Sequence, residues 1–146
     1  MILLFSLFGL FGQNKKKSEI NLKNFELKSG QIWKYNTRKG EEKSRIIILR
    51  VEKYDKGEIV VHIAVKGLKI ENSQKESGIS EEIGHLPFSN ESIIKSLTEL
   101  ESSNNDLPDY LDGYNEWKKA FDSGKGGMFT ISINEAVDFV EQSMNQ

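Results

Sequence analysis

The run Arg45-Ile46-Ile47-Ile48-Leu49-Arg50-Val51 constrains this chain more than any other segment. It is apolar and β-branched at consecutive positions, so the strand it forms needs cover on both faces. Ser44 to Tyr54 therefore reads as a central strand. Its neighbours follow a period of two. Between Gln31 and Thr37, Trp33, Tyr35 and Thr37 point one way, and Ile32, Lys34 and Asn36 the other. Beyond the turn Asp55-Lys56-Gly57, Ile59, Val61, Ile63 and Val65 face the core, while Val60, His62, Ala64 and Lys66 lie behind. Three consecutive strands joined by short turns form an antiparallel meander.

The later segments are less regular. Asn72 to Phe88 carries Gly78, Gly84 and Pro87 with little periodicity, and reads as a long loop. A helix is expected from Ser89, with Ile93, Ile94, Leu97 and Leu100 as its buried stripe and Ser102-Ser103-Asn104-Asn105 as its break. A second starts at Asp106 or Leu107, has Pro108 in its first turn, carries Tyr110, Leu111, Tyr114, Trp117, Ala120 and Phe121, and stops at Gly124. Met128 to Ile133 reads as a short strand. Ser132 and Glu135 have the spacing of a capping box, opening a last helix lined by Ala136, Val137, Val140 and Met144. The expected class is α+β: an antiparallel meander of three to five strands with about three helices packed on one face. The chain divides into an apolar segment at 1–13, a polar lead-in at 14–29 and one domain at 30–146, without internal repeats.

Composition removes several chemistries. The 146 residues include no cysteine, which excludes disulfides, thiolate catalysis and cysteine-ligated metal. The formal net charge is −2, and Lys15-Lys16-Lys17 is the only dense basic run, so nucleic acid is not an expected partner. No motif calls for a cofactor.

Residues 2–11, ILLFSLFGLF, are the most apolar stretch. They fall well short of the ~20 residues that span a bilayer. A secretory signal normally carries positive charge before its apolar run, whereas here the lysines come after it. As an interfacial helix, Leu3, Leu4, Leu7, Leu10 and Phe11 would share one face, with Lys15, Lys16 and Lys17 favouring anionic lipid or a partner. Packing on the domain itself and processing as an atypical signal are the alternatives. The expected location is the cytoplasm, peripheral at the membrane if the interfacial reading holds.

Candidate contact residues fall in two places. Arg38, in the charged turn Thr37-Arg38-Lys39-Gly40-Glu41-Glu42, can clamp a carboxylate or phosphate with its planar fork, and Glu41 and Glu42 can hold a cation. Their bland alternative is a solvated turn whose charges pair locally. His85, in Glu81-Glu82-Ile83-Gly84-His85-Leu86-Pro87-Phe88, is a candidate ligand contact that Glu81 or Glu82 can orient. No nucleophile motif and no metal-ligand spacing accompanies it, so no catalytic and no metal residues are assigned. Gly124-Lys125-Gly126-Gly127 lacks the Ser or Thr of a phosphate loop and runs from helix to strand. The stripe Tyr110, Tyr114, Trp117 and Phe121 reads as core. Asp109, Asp112, Glu116 and Asp122 leave the other side of that helix acidic, a surface that can meet a basic partner.

Gly30-Gln31-Ile32-Trp33-Lys34-Tyr35-Asn36-Thr37-Arg38-Lys39-Gly40-Glu41-Glu42-Lys43-Ser44, Ile83-Gly84-His85-Leu86-Pro87-Phe88-Ser89 and Gly127-Met128-Phe129-Thr130-Ile131-Ser132 resemble stretches of a group of small bacterial proteins. The resemblance spans residues 30 to 142, implies a bacterial source and one domain, and brings no activity with it. The first functional expectation is a non-enzymatic binding or accessory domain with a protein partner, of the immunity or inhibitor kind. The second is a small hydrolase or metal-dependent enzyme in which His85, Glu81 or Glu82, and Arg38 converge. The third is a carrier of a small ligand or lipid, which needs an apolar cavity.

Overall fold

The computed structural model of the chain describes residues 26–146. The apolar segment and the candidate contacts Leu3, Leu4, Leu7, Leu10, Phe11, Lys15, Lys16 and Lys17 lie outside the described residues. Among the described residues no helix is long and apolar enough to cross a membrane.

Among the described residues five antiparallel strands form one sheet: β1 (Gln31–Tyr35), β2 (Arg45–Lys53), β3 (Ile59–Glu71), β4 (Ile79–Ser89) and β5 (Leu97–Ser103), in the order β4-β3-β2-β1-β5. Three α-helices accompany them among the same residues: α1 (Asn90–Ser96), α2 (Leu111–Asp122) and α3 (Ile133–Met144). The α+β class and the meander β1-β2-β3 are as the sequence predicts, and β2 is the middle strand.

The main core lies on one face. Trp33 and Tyr35 of β1, Ile46 and Ile48 of β2, Val61, Ile63 and Val65 of β3, and Leu86 and Phe88 of β4 meet Ile93 of α1 and Ile133, Ala136 and Val137 of α3. Burying each large aliphatic chain here contributes about 1.5–3 kcal/mol. Leu27, from the polar lead-in, joins this cluster. The expected capping box is present, with the Ser132 side chain accepting from the Glu135 N–H and the Glu135 carboxylate accepting from the Ser132 N–H. The next backbone N–H, of Ile133, donates to Ser96 Oγ at 3.1 Å, which ties α3 to the end of α1.

The opposite face is covered too. Val60, His62 and Ala64 are fully buried although they point away from the main core. Helix α2 covers His62, with the Trp117 and Tyr114 rings 4.6 and 5.0 Å from the His62 ring. The sequence reading put the helices together on one face; two are there, and α2 lies on the other. The reason is visible in β2 and β3, whose backs are too apolar to face water.

A bulge in β2 decides what lies on that second face. Ile48 pairs with Ile63, but Arg50 pairs with His62, so the chain takes one extra residue at Leu49. An unbroken alternation would put Arg50 and Glu52 in the main core with Ile46 and Ile48. The extra residue reverses the parity and delivers both to the face of His62. The bulge is held from β1's side: Ser29 Oγ donates to Leu49 O at 2.9 Å and the Gly30 N–H to Ile48 O at 2.8 Å.

Further expectations from sequence are corrected. The helix expected from Asp106 or Leu107, with Pro108 in its first turn, begins only at Leu111. The loop expected at Asn72 to Phe88 is a turn followed by edge strand β4, which pairs with β3 from Glu71↔Ile79 to Val60↔Ser89. Pro87 fits because its own carbonyl accepts from the Phe129 N–H at 2.9 Å, on the side away from β3, so its missing N–H costs no ladder bond. The helix expected over Ser89 to Leu100 stops at Ser96, and Leu97 and Leu100 instead pair with Tyr35 and Trp33 in β5. The short strand expected at Met128 to Ile133 reduces to a parallel bridge between Phe88 and Phe129.

Candidate functional site

The turn residues singled out from sequence serve the fold. Arg38 Nε and Nη2 donate to the two Glu41 carboxylate oxygens at 2.8 and 2.7 Å, and Nη1 donates to Asp138 at 2.9 Å and Glu141 at 2.8 Å of α3. Glu41 is only 3 % exposed and also accepts from the Lys69 N–H at 2.7 Å. Burial pushes its carboxyl up, but the Arg38 guanidinium and the Lys69 amide outweigh that and hold it below its usual value. Glu42 accepts from the Gly40 N–H at 2.9 Å, closing the turn. The local-pairing alternative therefore describes this turn, with the addition that Arg38 bolts it to α3.

The β4 residues separate. Glu82 is exposed and pairs with Lys66 at 3.0 Å, and Glu81 is exposed beside it. His85 turns to the second face, where its Nε2 lies 2.9 Å from His62 Nδ1. Arg38, Glu81 or Glu82 and His85 do not converge. His62, on the back of β3 as the alternation places it, is fully buried, and Glu52 completes the group.

Glu52 is the anchor. Its Oε1 accepts from Tyr54 Oη at 2.8 Å and from His62 Nε2 at 2.9 Å. Its Oε2 accepts from Tyr114 Oη, and from Arg50 Nη1 at 3.4 Å. Four donors fill the lone-pair sites of one carboxylate. Burial alone would raise this carboxyl, but the bonds from Tyr114, Tyr54 and His62 together lower it below its usual value. The same contacts push the Tyr54 and Tyr114 hydroxyls up, with burial as the largest cause. Arg50 lies over the Tyr114 ring at 4.3 Å, a cation–π contact.

An ionised Glu52 only accepts, so His62 Nε2 carries the proton between them. Burial lowers the His62 pKa, against the pull of Glu52, and a neutral His62 then has a bare Nδ1. That Nδ1 accepts from His85 Nε2–H, which leaves His85 with its own Nδ1 bare. Burial, with His62 adding to it, lowers the His85 pKa to about 4, so the ring is neutral at physiological pH. Among the described residues no buried side-chain nitrogen or oxygen lacks a partner. His85 Nδ1 has no hydrogen-bond partner there, so it is not fully buried; it lies toward Gly113, 3.8 Å from where a Cβ on that glycine would sit, on the cleft that both residues line.

That cleft, of about 600 Å³, runs between β4 and α2. Its walls are Ile83, Gly84 and His85 on one side and Asp109, Tyr110, Asp112, Gly113, Glu116 and Trp117 on the other. Gly113 matters for the close approach: a Cβ there would sit 3.3 Å from His85 Cβ. The three carboxylates are exposed, and among the described residues none of them is in an ion pair. The acidic side of the helix that the sequence marks thus borders a pocket. Among the described residues no group of three or more His, Cys, Asp or Glu is arranged to hold a metal ion.

Sequence reasoning missed Glu52 as a functional residue and the pairing of the two histidines. The available signal was parity: His62 on the back of β3 and aromatic residues at helical spacing. Glu52 gave none, because only the bulge turns it inward. The fold and site define an α+β protein in which a carboxylate–histidine chain centred on buried His62 opens on an acidic, aromatic cleft. No family model, no curated protein and no solved structure matches the chain.

Proposed function

We propose that this chain is a non-enzymatic binding or accessory domain that meets a basic protein partner through the His85 cleft. The observation that carries the reading is the cleft's chemistry. Asp109, Asp112 and Glu116 are acceptors without counter-charges, His85 offers a bare nitrogen, and Tyr110 and Trp117 offer aromatic surface. Such a lining attracts cations and repels anions. A role as an immunity or inhibitor protein is one form of this reading, and a bacterial source follows from the resemblance.

The test is capture of partners by the full-length chain and by a charge-reversed variant, Asp109→Lys with Asp112→Lys and Glu116→Lys. The three sites are exposed, so the fold should survive. A partner with a basic surface, retained by a Glu81→Lys control and lost by the reversed variant, supports the reading. A partner that binds both equally removes the cleft as the contact.

The second reading is an enzyme. The chain Glu52–His62–His85, ending on a bare nitrogen in a cleft, is the arrangement of a general base. It differs from the arrangement expected from sequence, since Arg38, Glu81 and Glu82 take no part. A hydrolytic rate that survives purification, follows the His85 ionisation and is lost in His85→Gln would favour it. The carrier reading is weaker: Trp33, Ile48, Phe88, Ile93 and Ile133 fill the main core, and the groove of about 800 Å³ beside α1, lined by Leu27, Val51, Ile59 and Ile94, also carries the charges of Glu26, Lys53, Glu91 and Lys95.

A further inference from the structure

The binding reading leaves open what the cleft grips, and the pairing of buried His62 with half-buried His85 bears on that. A plain electrostatic surface needs no buried His62 held by a half-buried Glu52 behind it. Four donors hold Glu52 in place. His62 is sealed by Tyr114 and Trp117. The consequence at the cleft is a His85 ring with one fixed tautomer, a proton on Nε2 and a lone pair on Nδ1.

We propose that the cleft is a pocket for a single guanidinium group, with His85 Nδ1 as the acceptor that distinguishes it from other cations. The inference rests on the binding reading for its location and goes beyond it in naming the group. A guanidinium carries five N–H donors in a plane and stacks on aromatic faces. The cleft supplies a fixed acceptor at His85, carboxylates at Asp112 and Glu116, and the rings of Tyr110 and Trp117. A quaternary ammonium would find the rings and the negative charge but has no N–H to give to His85. A lysine ammonium donates but is compact, strongly hydrated and not planar. The carboxylates account for attraction; the lone pair and the rings account for selection. Glu52 and His62 are positioning residues, acting through the tautomer of His85.

The experiment uses the full chain and three probes: N-acetyl-arginine amide, N-acetyl-lysine amide and tetramethylammonium. Imidazole and indole NMR signals of His85 and Trp117 report occupancy, and long-range proton–nitrogen spectra report the tautomer. The arginine probe should shift both residues saturably, with affinity about tenfold or more above tetramethylammonium, the worth of a hydrogen bond to a charged group. The lysine probe should fall between them. His85→Gln should bring the arginine probe down to the level of tetramethylammonium. Glu52→Gln should weaken the arginine probe alone and mix the His85 tautomers. Should that variant fail to fold, the probe series on the unaltered chain decides. Equal affinity for arginine and tetramethylammonium, or a proton on His85 Nδ1, overturns the proposal. Absence of saturable shifts with any probe also overturns it, while a partner lost on charge reversal would keep the binding reading. Selective arginine binding without such a partner would keep the pocket and remove the reading.

Discussion

Replacing Arg38 with Met should destabilise the fold by about 3 kcal/mol near neutral pH. The guanidinium is 16 % exposed and Glu41 3 %. Without Arg38, Glu41 keeps the Lys69 N–H at 2.7 Å as its one remaining bond. Removing one partner of a buried pair costs about 3–5 kcal/mol, because the other charge stays buried. The lower end applies, since Arg38 is not fully enclosed. The bonds to Asp138 and Glu141 add little, as those carboxylates are 56 % and 28 % exposed. A domain of this size has about 5–15 kcal/mol in total, so the loss is large and measurable by urea unfolding. The pH dependence has a definite sign. In the unaltered chain Glu41 titrates below its usual value, so its contribution is present above that value and is lost as pH falls through the folded pKa. Without Arg38, burial is far less opposed and raises the carboxyl. The penalty is then greatest near neutral pH and shrinks toward about pH 4. Arg38→Met with Glu41→Met, which removes the stranded charge, should recover about half of the loss. A single-variant loss under about 1 kcal/mol, or an equal loss in the double variant, would refute the reasoning.

Other outcomes follow from the same geometry. Tyr114→Phe removes a bond to an ionised carboxylate and should cost about 1.5–3 kcal/mol in urea unfolding. His62 and His85 are both held neutral by burial, so unfolding is favoured as pH falls from about 6.5. Stability should decline toward the His85 value of about 4, with a slope of up to about 1.4 kcal/mol per pH unit for each histidine, followed by denaturation at stepped pH. Gly30→Ala should cost well over about 1 kcal/mol, since Gly30 has φ +94° and an added Cβ would lie 2.4 Å from Asn104 O; thermal unfolding reads it. Ser132→Ala should cost about 1 kcal/mol by losing the α3 cap, and Ser132→Asp should restore most of it.

The elements that could be read from sequence are those whose burial pattern is local. The alternation Ile59, Val61, Ile63, Val65 against Val60, His62, Ala64 survives intact in β3. Ser132 and Glu135 close their capping box within four residues. Segments that failed are those whose pattern fits two periods. Ile93, Ile94, Leu97 and Leu100 fit a helical stripe, yet Leu97 and Leu100 serve a strand because Tyr35 and Trp33 stand ready to pair with them. Residues 79–89 look irregular because Gly84 and Pro87 interrupt them, and only β3 alongside makes them a strand.

The sequence by itself determined that β2 would be central and covered on both sides and that the charges around Arg38 could pair locally. Those outcomes depend on residue type and on neighbours a few positions away. Of the aromatic stripe that reads as core in the sequence, only Tyr114 is buried, and Tyr110 and Trp117 line the cleft instead. Tertiary structure alone decided that the aromatic stripe covers the back of the sheet, and that Glu52 joins His62 there. It also decided that Arg38 reaches Asp138 and Glu141, some hundred residues on. The physical reason is parity and closure. One extra residue at Leu49 changes the face of every later β2 side chain, and a helix finds its sheet face only once both surfaces exist.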